Sequence, residues 1–273
     1  MITVTGATGN VGRALVAELI AAGETVTAGA RRIAPEDVPP GVRAVAVDLA
    51  QPESLAPALE GADALFLLVA GDDPDGILRE AAAAGVGKVV LLSSQGAGTR
   101  PRAYAHAVRF EAAVARSGLP FTFLRSGGMA SNALAWAEPV RRERVAPAPF
   151  ADVALPFVDP ADVASVAATV LREDGHATAT YTLTGPEPLT PRRRAAALAD
   201  ALGEPVTFVE QSREEAYAQL LRAMPPAVAE GTLAVLGEPT PQEQAVSGDV
   251  ERLLGRPATP FAAWAARNVA AFR

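Results

Sequence analysis

The 273-residue chain contains no cysteine, which excludes disulfides, thiol nucleophiles and thiolate metal sites and agrees with a reducing compartment. Histidine is scarce: His106 and His176 stand 70 positions apart, and no metal site is expected from them. Basic charge is outweighed, with 24 Lys and Arg against 31 Asp and Glu for a net charge of −7, so no nucleic-acid partner is expected. Long apolar runs are missing too. Residues 64–70 and 89–92 fall far short of the ~20 needed to cross a bilayer and read as buried strands. Met1 leads through Ile2 and Val4 into a glycine turn, without the basic and apolar regions of a secretory leader. A soluble, cytoplasmic protein without a membrane partner is the expectation. What is present is ordinary for a globular chain: 49% hydrophobic and 20% charged residues, with 23 glycines and 23 prolines.

Short β-rich runs alternate with Ala- and Leu-rich helical patterns. Strands are predicted at 2–5, 25–28, 42–47, 64–69, 88–93 and 121–124. Helices are predicted between them: one carrying Val11, Leu15 and Leu19 and ending at Gly23, then 55–59, 75–84 and 104–117. Near-continuous apolar strands separated by helices predict an α/β fold, a parallel sheet covered on both faces. Beyond Arg125 the rhythm loosens. An extended stretch at 153–158, a helix at 160–171 capped by Asp159 and a returning strand at 181–184 are expected. Helices at 192–202, 212–224 and 259–272, with a strand at 205–210, then predict a small, mostly helical C-terminal part. The expected division is 1–184 and 185–273.

The first motif with chemistry in it is Gly6-Ala7-Thr8-Gly9-Asn10-Val11-Gly12, set between a strand and an amphipathic helix. Gly6 permits a tight turn, Gly9 lets a pyrophosphate approach the backbone, and Gly12 allows close helix–sheet contact, while the free N–H groups of the helix face the phosphates. The spacing is G-x-x-G-x-x-G rather than G-x-G-x-x-G. About 20 residues on, where an acidic residue would hold the ribose of NAD, the chain reads Ala28-Gly29-Ala30-Arg31-Arg32. Two guanidiniums in place of a carboxylate favour a 2′-phosphate, and so NADP(H) over NAD(H). Asp48 and Leu49, after the third strand, either contact the adenine or form a turn. Val69 and Ser93, at strand ends, complete the expected cofactor-binding set.

The glycine motif, Val47-Asp48-Leu49, Leu91-Leu92-Ser93-Ser94, the stretch from Glu111 through Ser117-Gly118-Leu119-Pro120 to Arg125, and Asn132 together resemble the NmrA-like branch of the atypical short-chain dehydrogenases/reductases. The resemblance covers about residues 1–185 well and the remainder loosely. It implies a Rossmann doubly wound sheet that binds NADP(H), followed by a small C-terminal substrate-binding part. Members include quinone and ketone reductases as well as redox sensors that bind the dinucleotide without turnover.

Ordinary members of the wider superfamily carry a Tyr-x-x-x-Lys pair, whereas Tyr104 is followed four positions later by Val108. The superfamily's serine falls at Ser94 or Gln95. Ser94, Gln95, Tyr104 and His106 are therefore the catalytic candidates, His106 having the best intrinsic pKa for proton transfer, or else packing on its helix. Without the lysine, hydride passes to a carbonyl polarised by its own phenol or protonated by water, or there is no turnover. Seven of the 14 aromatics lie in residues 104–157, and the loop after Leu124 follows a strand end. Gly127, Met129, Asn132 and Trp136 are the candidates for a flat apolar pocket, with core packing as the alternative for the aromatics. Arg141, Arg142 and Arg144 could meet an acidic substrate group or form a solvated loop, and Arg192 to Arg194 read as a solvated helix turn. The expected function is reduction of a ketone or quinone on an apolar aromatic or polycyclic compound of polyketide type, in antibiotic biosynthesis. The alternative is a dinucleotide sensor. A monomer or dimer acting on a small molecule is expected.

Overall fold

Alternate residues along the central strands point to opposite faces, and both faces are apolar. Phe66, Val90 and Leu124 enter one core, while Leu65, Leu67, Val89, Leu91 and Phe123 enter another. A sheet with two such faces needs helices on both sides. The computed structural model, which describes residues 1–222 and 224–273, shows that arrangement.

Strands β1 (Ile2–Thr5), β2 (Val26–Ala30), β3 (Arg43–Ala46), β4 (Ala64–Leu68), β5 (Lys88–Ser94) and β6 (Phe121–Ser126) lie in one sheet. Two further strands follow β7 (Val145–Ala148): β8 (Ala179–Leu183), which joins that sheet, and β9 (Thr207–Glu210). The main sheet is parallel throughout, in the order β3-β2-β1-β4-β5-β6-β8, and β7 pairs in parallel with β9 beside it. The order reverses between β1 and β4, which opens a crevice beyond the carboxyl ends of the strands.

The helices are α1 (Asn10–Ala21), α2 (Ala56–Leu59), α3 (Pro74–Ala83), α4 (Gly96–Thr99), α5 (Ala105–Arg116), α6 (Ala137–Glu143) and α7 (Pro160–Arg172). They continue with α8 (Pro191–Leu202), α9 (Arg213–Leu220), α10 (Pro226–Gly237), α11 (Pro241–Gln244), α12 (Asp249–Leu254) and α13 (Phe261–Arg267). Helices α1, α7 and α12 pack on one face of the sheet, and α2, α3 and α5 on the other. A third core joins residues 130–148 to α8, α13 and Phe272, so the loop after β6 packs with the C-terminal residues. No helix among the described residues is long and apolar enough to cross a membrane.

Several expectations for the C-terminal half need correction. Residues 153–158 make single bridges, Met129 with Val158 and Leu155 with Leu189, rather than a strand. The helix expected over 212–224 ends at Leu220, and residue 223 of it lies outside the described residues. A second helix, α10, starts at Pro226 because proline at the first helical position forfeits no needed N–H. The arginines at 141–144 belong to α6: Arg142 pairs with Glu138 one turn back, and left-handed Arg144 closes the helix and reaches Glu204. Arg194 is not solvated at all. It is 5% exposed, with its guanidinium 3.8 Å from the ring centre of Phe157 and near Trp136 and Phe261.

Asp159 and Asp162 start α7 and also tie the C-terminus to it. Asp159 caps Ala161 N–H and pairs with Arg267. Buried Asp162 accepts from Thr259 N–H at 2.6 Å and pairs with Arg256 at 2.8 Å.

Candidate active site

The glycine motif forms the turn between β1 and α1. Gly6 has φ +64°, in the region only glycine enters freely, and Gly9 N–H donates to Gly6 C=O at 2.9 Å. A Cβ on Gly12 would lie 2.2 Å from Gly6 O, so helix and turn touch backbone to backbone. The amino end of α1 begins at Gly9 without a side-chain cap and carries no acidic residue in its first turn. Its N–H groups stay available to an anion.

A cavity of about 550 Å³ opens at this turn. It is lined by Gly6, Thr8 and Gly9 of the motif, by Arg31 and Arg32 after β2, and by Asp48 and Leu49 after β3. Gly29 on its wall sits where a Cβ would press on Val47 at 3.1 Å. An open turn of bare Cα atoms, unfilled helix donors and two arginines fits a dinucleotide's phosphates and ribose.

The other members of the expected cofactor set do not line this cavity with their side chains. Val11 and Gly12 are buried under the turn, exposed Asn10 borders a separate depression with Asp159, and Val69 packs toward the α3 core. Ser93 is 5% exposed and donates to Glu111 Oε1 at 2.6 Å. Glu111 in turn accepts from Arg125 at 2.9 and 2.6 Å, so Ser93 belongs to a buried network between β5, α5 and β6.

A second cavity, of about 220 Å³, lies beyond β5 and β6. Ser94, Gln95 and Tyr104 line it, as do Gly127 and Asn132. His106 does not; it packs edge-on against Phe110 at 5.1 Å between ring centres. Met129 packs toward the α1–α7 core, and Trp136 is 5% exposed in the third core, donating to Pro147 C=O at 2.7 Å. The aromatics of the 104–157 segment therefore mostly fill cores, and Tyr104 and Phe157 are the ones that reach this cavity.

Sequence reasoning missed the far wall, made by Leu155, Pro156, Phe157, Met224, Thr232, Val235, Leu236 and Glu243. Thr232, Val235 and Leu236 share one face of α10 at i, i+3, i+4, a spacing that names a face but not what it covers.

Glu243 ties that wall to the sheet. Its side chain is 2% exposed and accepts from Arg100 Nε at 2.8 Å, Arg100 Nη2 at 2.9 Å and Thr99 Oγ1 at 2.7 Å. Burial pushes its carboxyl up, but Arg100, the Thr240 N–H and Thr99 outweigh that and hold it below the usual range. Arg100 also donates to Glu238 C=O, and Gln95 donates to Gln242 C=O, closing the segment over the cavity. Tyr104 moves the other way. Burial first, then the Glu243 charge, push its phenol above the ordinary value, while Thr232 and Arg100 pull it back less strongly. The phenol stays protonated at neutral pH and can donate a hydrogen bond into the cavity.

The chain's single lysine, Lys88, opens β5, six residues and about 20 Å of strand from Ser94.

A cavity at the switch point that fits a dinucleotide, and a smaller pocket with a protonated phenol on its wall, agree with an NAD(P)H-dependent oxidoreductase. The chain belongs to the NAD(P)H-binding family, whose model matches residues 6–174. A Streptomyces griseus subsp. griseus protein named (4-alkanoyl-5-oxo-2,5-dihydrofuran-3-yl)methyl phosphate reductase is 39% identical over all of this chain and 99% of its own length. The NADPH complex of an Escherichia coli NADPH-dependent quinone oxidoreductase is similar at a TM-score of 0.81 and 26% identity, covering 98% of this chain and 99% of that one. NmrA, a negative transcriptional regulator in complex with NADP, shares the fold at a TM-score of 0.76 and 22% identity, covering 97% and 94%. These neighbours lie in the NmrA-like, atypical short-chain dehydrogenase/reductase class that the motifs resemble.

Proposed function

We propose that the protein uses NADPH to reduce a small cyclic compound whose carbonyl groups lie on or next to one ring. The observation that carries this reading is the pairing of the two cavities with Tyr104 on the wall of the smaller one. A volume of about 220 Å³ is below the ~300 Å³ at which drug-sized pockets begin, and so favours one ring over the polycyclic substrate first expected. Quinones and a 5-oxo-2,5-dihydrofuran, the compounds named for the E. coli and Streptomyces griseus proteins, are ring carbonyl compounds, the second carrying an alkanoyl chain and a phosphate as well. Leu155, Phe157, Val235 and Leu236 offer an apolar wall, and Ser94, Gln95, Tyr104 and Asn132 a polar one.

The bound nucleotide supplies the hydride. The reading is supported by Arg31 and Arg32 on the cavity's wall, which can make charge-assisted contacts with a 2′-phosphate, and by Ala30 beside them, which brings no carboxylate to oppose it. The substrate's carbonyl oxygen gains negative charge as it is reduced, and donors already aimed at it lower that barrier. Tyr104 is the donor we assign. Toward an alkoxide it gives up its proton. Toward a hydroquinone oxygen, whose basicity is like its own, it remains a hydrogen-bond donor while water supplies the proton. The lysine of the ordinary pair has no counterpart here, since Lys88 starts the strand at the opposite end.

The test is NADPH oxidation, followed by absorbance, with a panel of one-ring quinones, oxo-dihydrofuran phosphates and polycyclic ketones. Turnover confined to the one-ring compounds and at least tenfold slower with NADH is expected. Tight NADPH binding with no oxidation by any of them would make the protein a dinucleotide sensor instead.

A further inference from the structure

Tyr104 owes its place to an atom that is missing. Its backbone is fixed ahead of α5, with its N–H donating to Arg100 C=O and its C=O accepting from Val108 N–H, both at 3.1 Å. The ring then lies directly on Gly96, the first residue of α4. A Cβ there would sit 2.4 Å from Tyr104 Cδ2 and Cε2 and 2.6 Å from Cγ, against the 3.5–4.0 Å of carbon–carbon contact. Gly96 is not in the left-handed region, so its backbone does not call for glycine. The Gly96 N–H is itself held by Ser94 Oγ at 3.1 Å, which anchors the seat to the end of β5.

A second bare Cα meets the same ring from the covering helix. A Cβ on Gly231 of α10 would lie 3.8 Å from Tyr104 Cε2 and 3.0 Å from Ala103 Cβ. The next residue, Thr232, lines the cavity with the phenol.

We propose that Gly96 is a positioning residue for Tyr104: its missing side chain is the seat that aims the phenol into the substrate cavity, and Gly231 lets α10 close against Ala103 beside the seated ring. This rests on the reductase reading above, with Tyr104 as donor. Alanine at 96 forces the ring out of the seat while leaving the backbone conformation attainable.

The experiment combines Gly96→Ala and Tyr104→Phe, singly and together, on the full chain. Misplacing the donor by about 1 Å predicts a fall in kcat of about 100-fold for Gly96→Ala, with the KM for NADPH unchanged. In the Tyr104→Phe background the same glycine change should alter kcat by no more than about twofold, because its target is gone. A readout independent of turnover is the ultraviolet titration of the phenol, taken as the difference between each protein and its Tyr104→Phe counterpart. Gly96→Ala should bring Tyr104 ionisation down toward the ordinary value of about 10 as the ring meets water.

If Gly96→Ala does not fold, Gly231→Ala, whose Cβ would press at 3.0 Å on Ala103 Cβ and so on the residue that carries the chain into Tyr104, should lower kcat about tenfold with the same dependence on Tyr104. Equal losses in both backgrounds, or an unchanged titration, would overturn the proposal. Full activity in Tyr104→Phe would overturn the donor reading, and the titration would still report whether Gly96 seats the ring.

Discussion

Replacing Arg194 by methionine removes a charge that the fold keeps out of water without an ion partner. The guanidinium lies over Phe157 at 3.8 Å, near Trp136 at 5.2 Å and Phe261 at 5.9 Å, and its Nε finds no hydrogen-bond acceptor among the described residues. Burial alone lowers its pKa from the ordinary guanidinium range to about 9. At 1.36 kcal/mol per tenfold change in ionisation, that corresponds to about 5 kcal/mol spent on keeping it charged at pH 7. The three aromatic neighbours, one at 3.8 Å and two at 5.2 and 5.9 Å, together return about 2–4 kcal/mol. Methionine matches the length and keeps the apolar contacts. Arg194→Met should therefore stabilise the fold by about 1–3 kcal/mol, raising Tm by about 2–8 °C, as measured by urea and thermal unfolding at pH 7.

The pH dependence has a definite sign. A base whose folded pKa is depressed leaves the unfolded chain holding more protons from about pH 9 up to the ordinary guanidinium range. Stability from this group therefore rises with pH in that window, and the rise should vanish in Arg194→Met. A methionine variant less stable than the parent by more than about 1 kcal/mol would refute the reasoning.

Arg31→Ala and Arg32→Ala should each weaken NADPH binding by about 1.5–3 kcal/mol and leave NADH nearly unaffected, as read by fluorescence titration of the two nucleotides. Gly12→Ala pushes a Cβ to 2.2 Å from Gly6 O and must open the turn, so NADPH affinity should fall at least 100-fold in calorimetry. Glu243→Gln breaks the ion pair with Arg100 and should cost about 2–3 kcal/mol of stability at pH 7, less than a fully dry pair because Arg100 keeps some contact with water. Since the folded pKa of Glu243 is lowered, the parent's advantage is present above about pH 4.5 and is lost as pH falls through that folded value. The two proteins' unfolding midpoints should therefore converge in acid.

The Rossmann half is legible in the sequence because its signals are local. The glycines of the first turn, the near-continuous apolar strands and the Asp159 cap each act within a few residues, and parallel strands between helices leave few topologies. The arginines after β2 are legible for the same reason. The substrate cavity is not local. Its far wall comes from α10 and α11, more than 70 residues beyond Phe157, and Glu243 is marked in the sequence by nothing more than a capping pattern with Thr240.

Trp136 and Met129 have pocket-like side chains, yet the fold turns both into cores. Arg194 shows the converse, since a run of three arginines gives no sign that the third is buried beneath an aromatic ring. The one hint was positional: α8 packs its 194, 195 and 198 face inward, the i, i+1, i+4 pattern of a buried stripe.

The central claim is that a hydride moves from NADPH in the larger cavity to a ring carbonyl compound in the smaller one. Its most direct test is a single turnover with NADPH deuterated at the transferred position and a one-ring quinone or oxo-dihydrofuran phosphate, analysed by mass spectrometry and NMR. One deuterium retained on a carbon of the furanone product, or a primary isotope effect on the oxidation of NADPH by the quinone, is the result expected. Unlabelled furanone product together with isotope-independent quinone reduction, or recovery of intact NADPH from a tight complex, would contradict it.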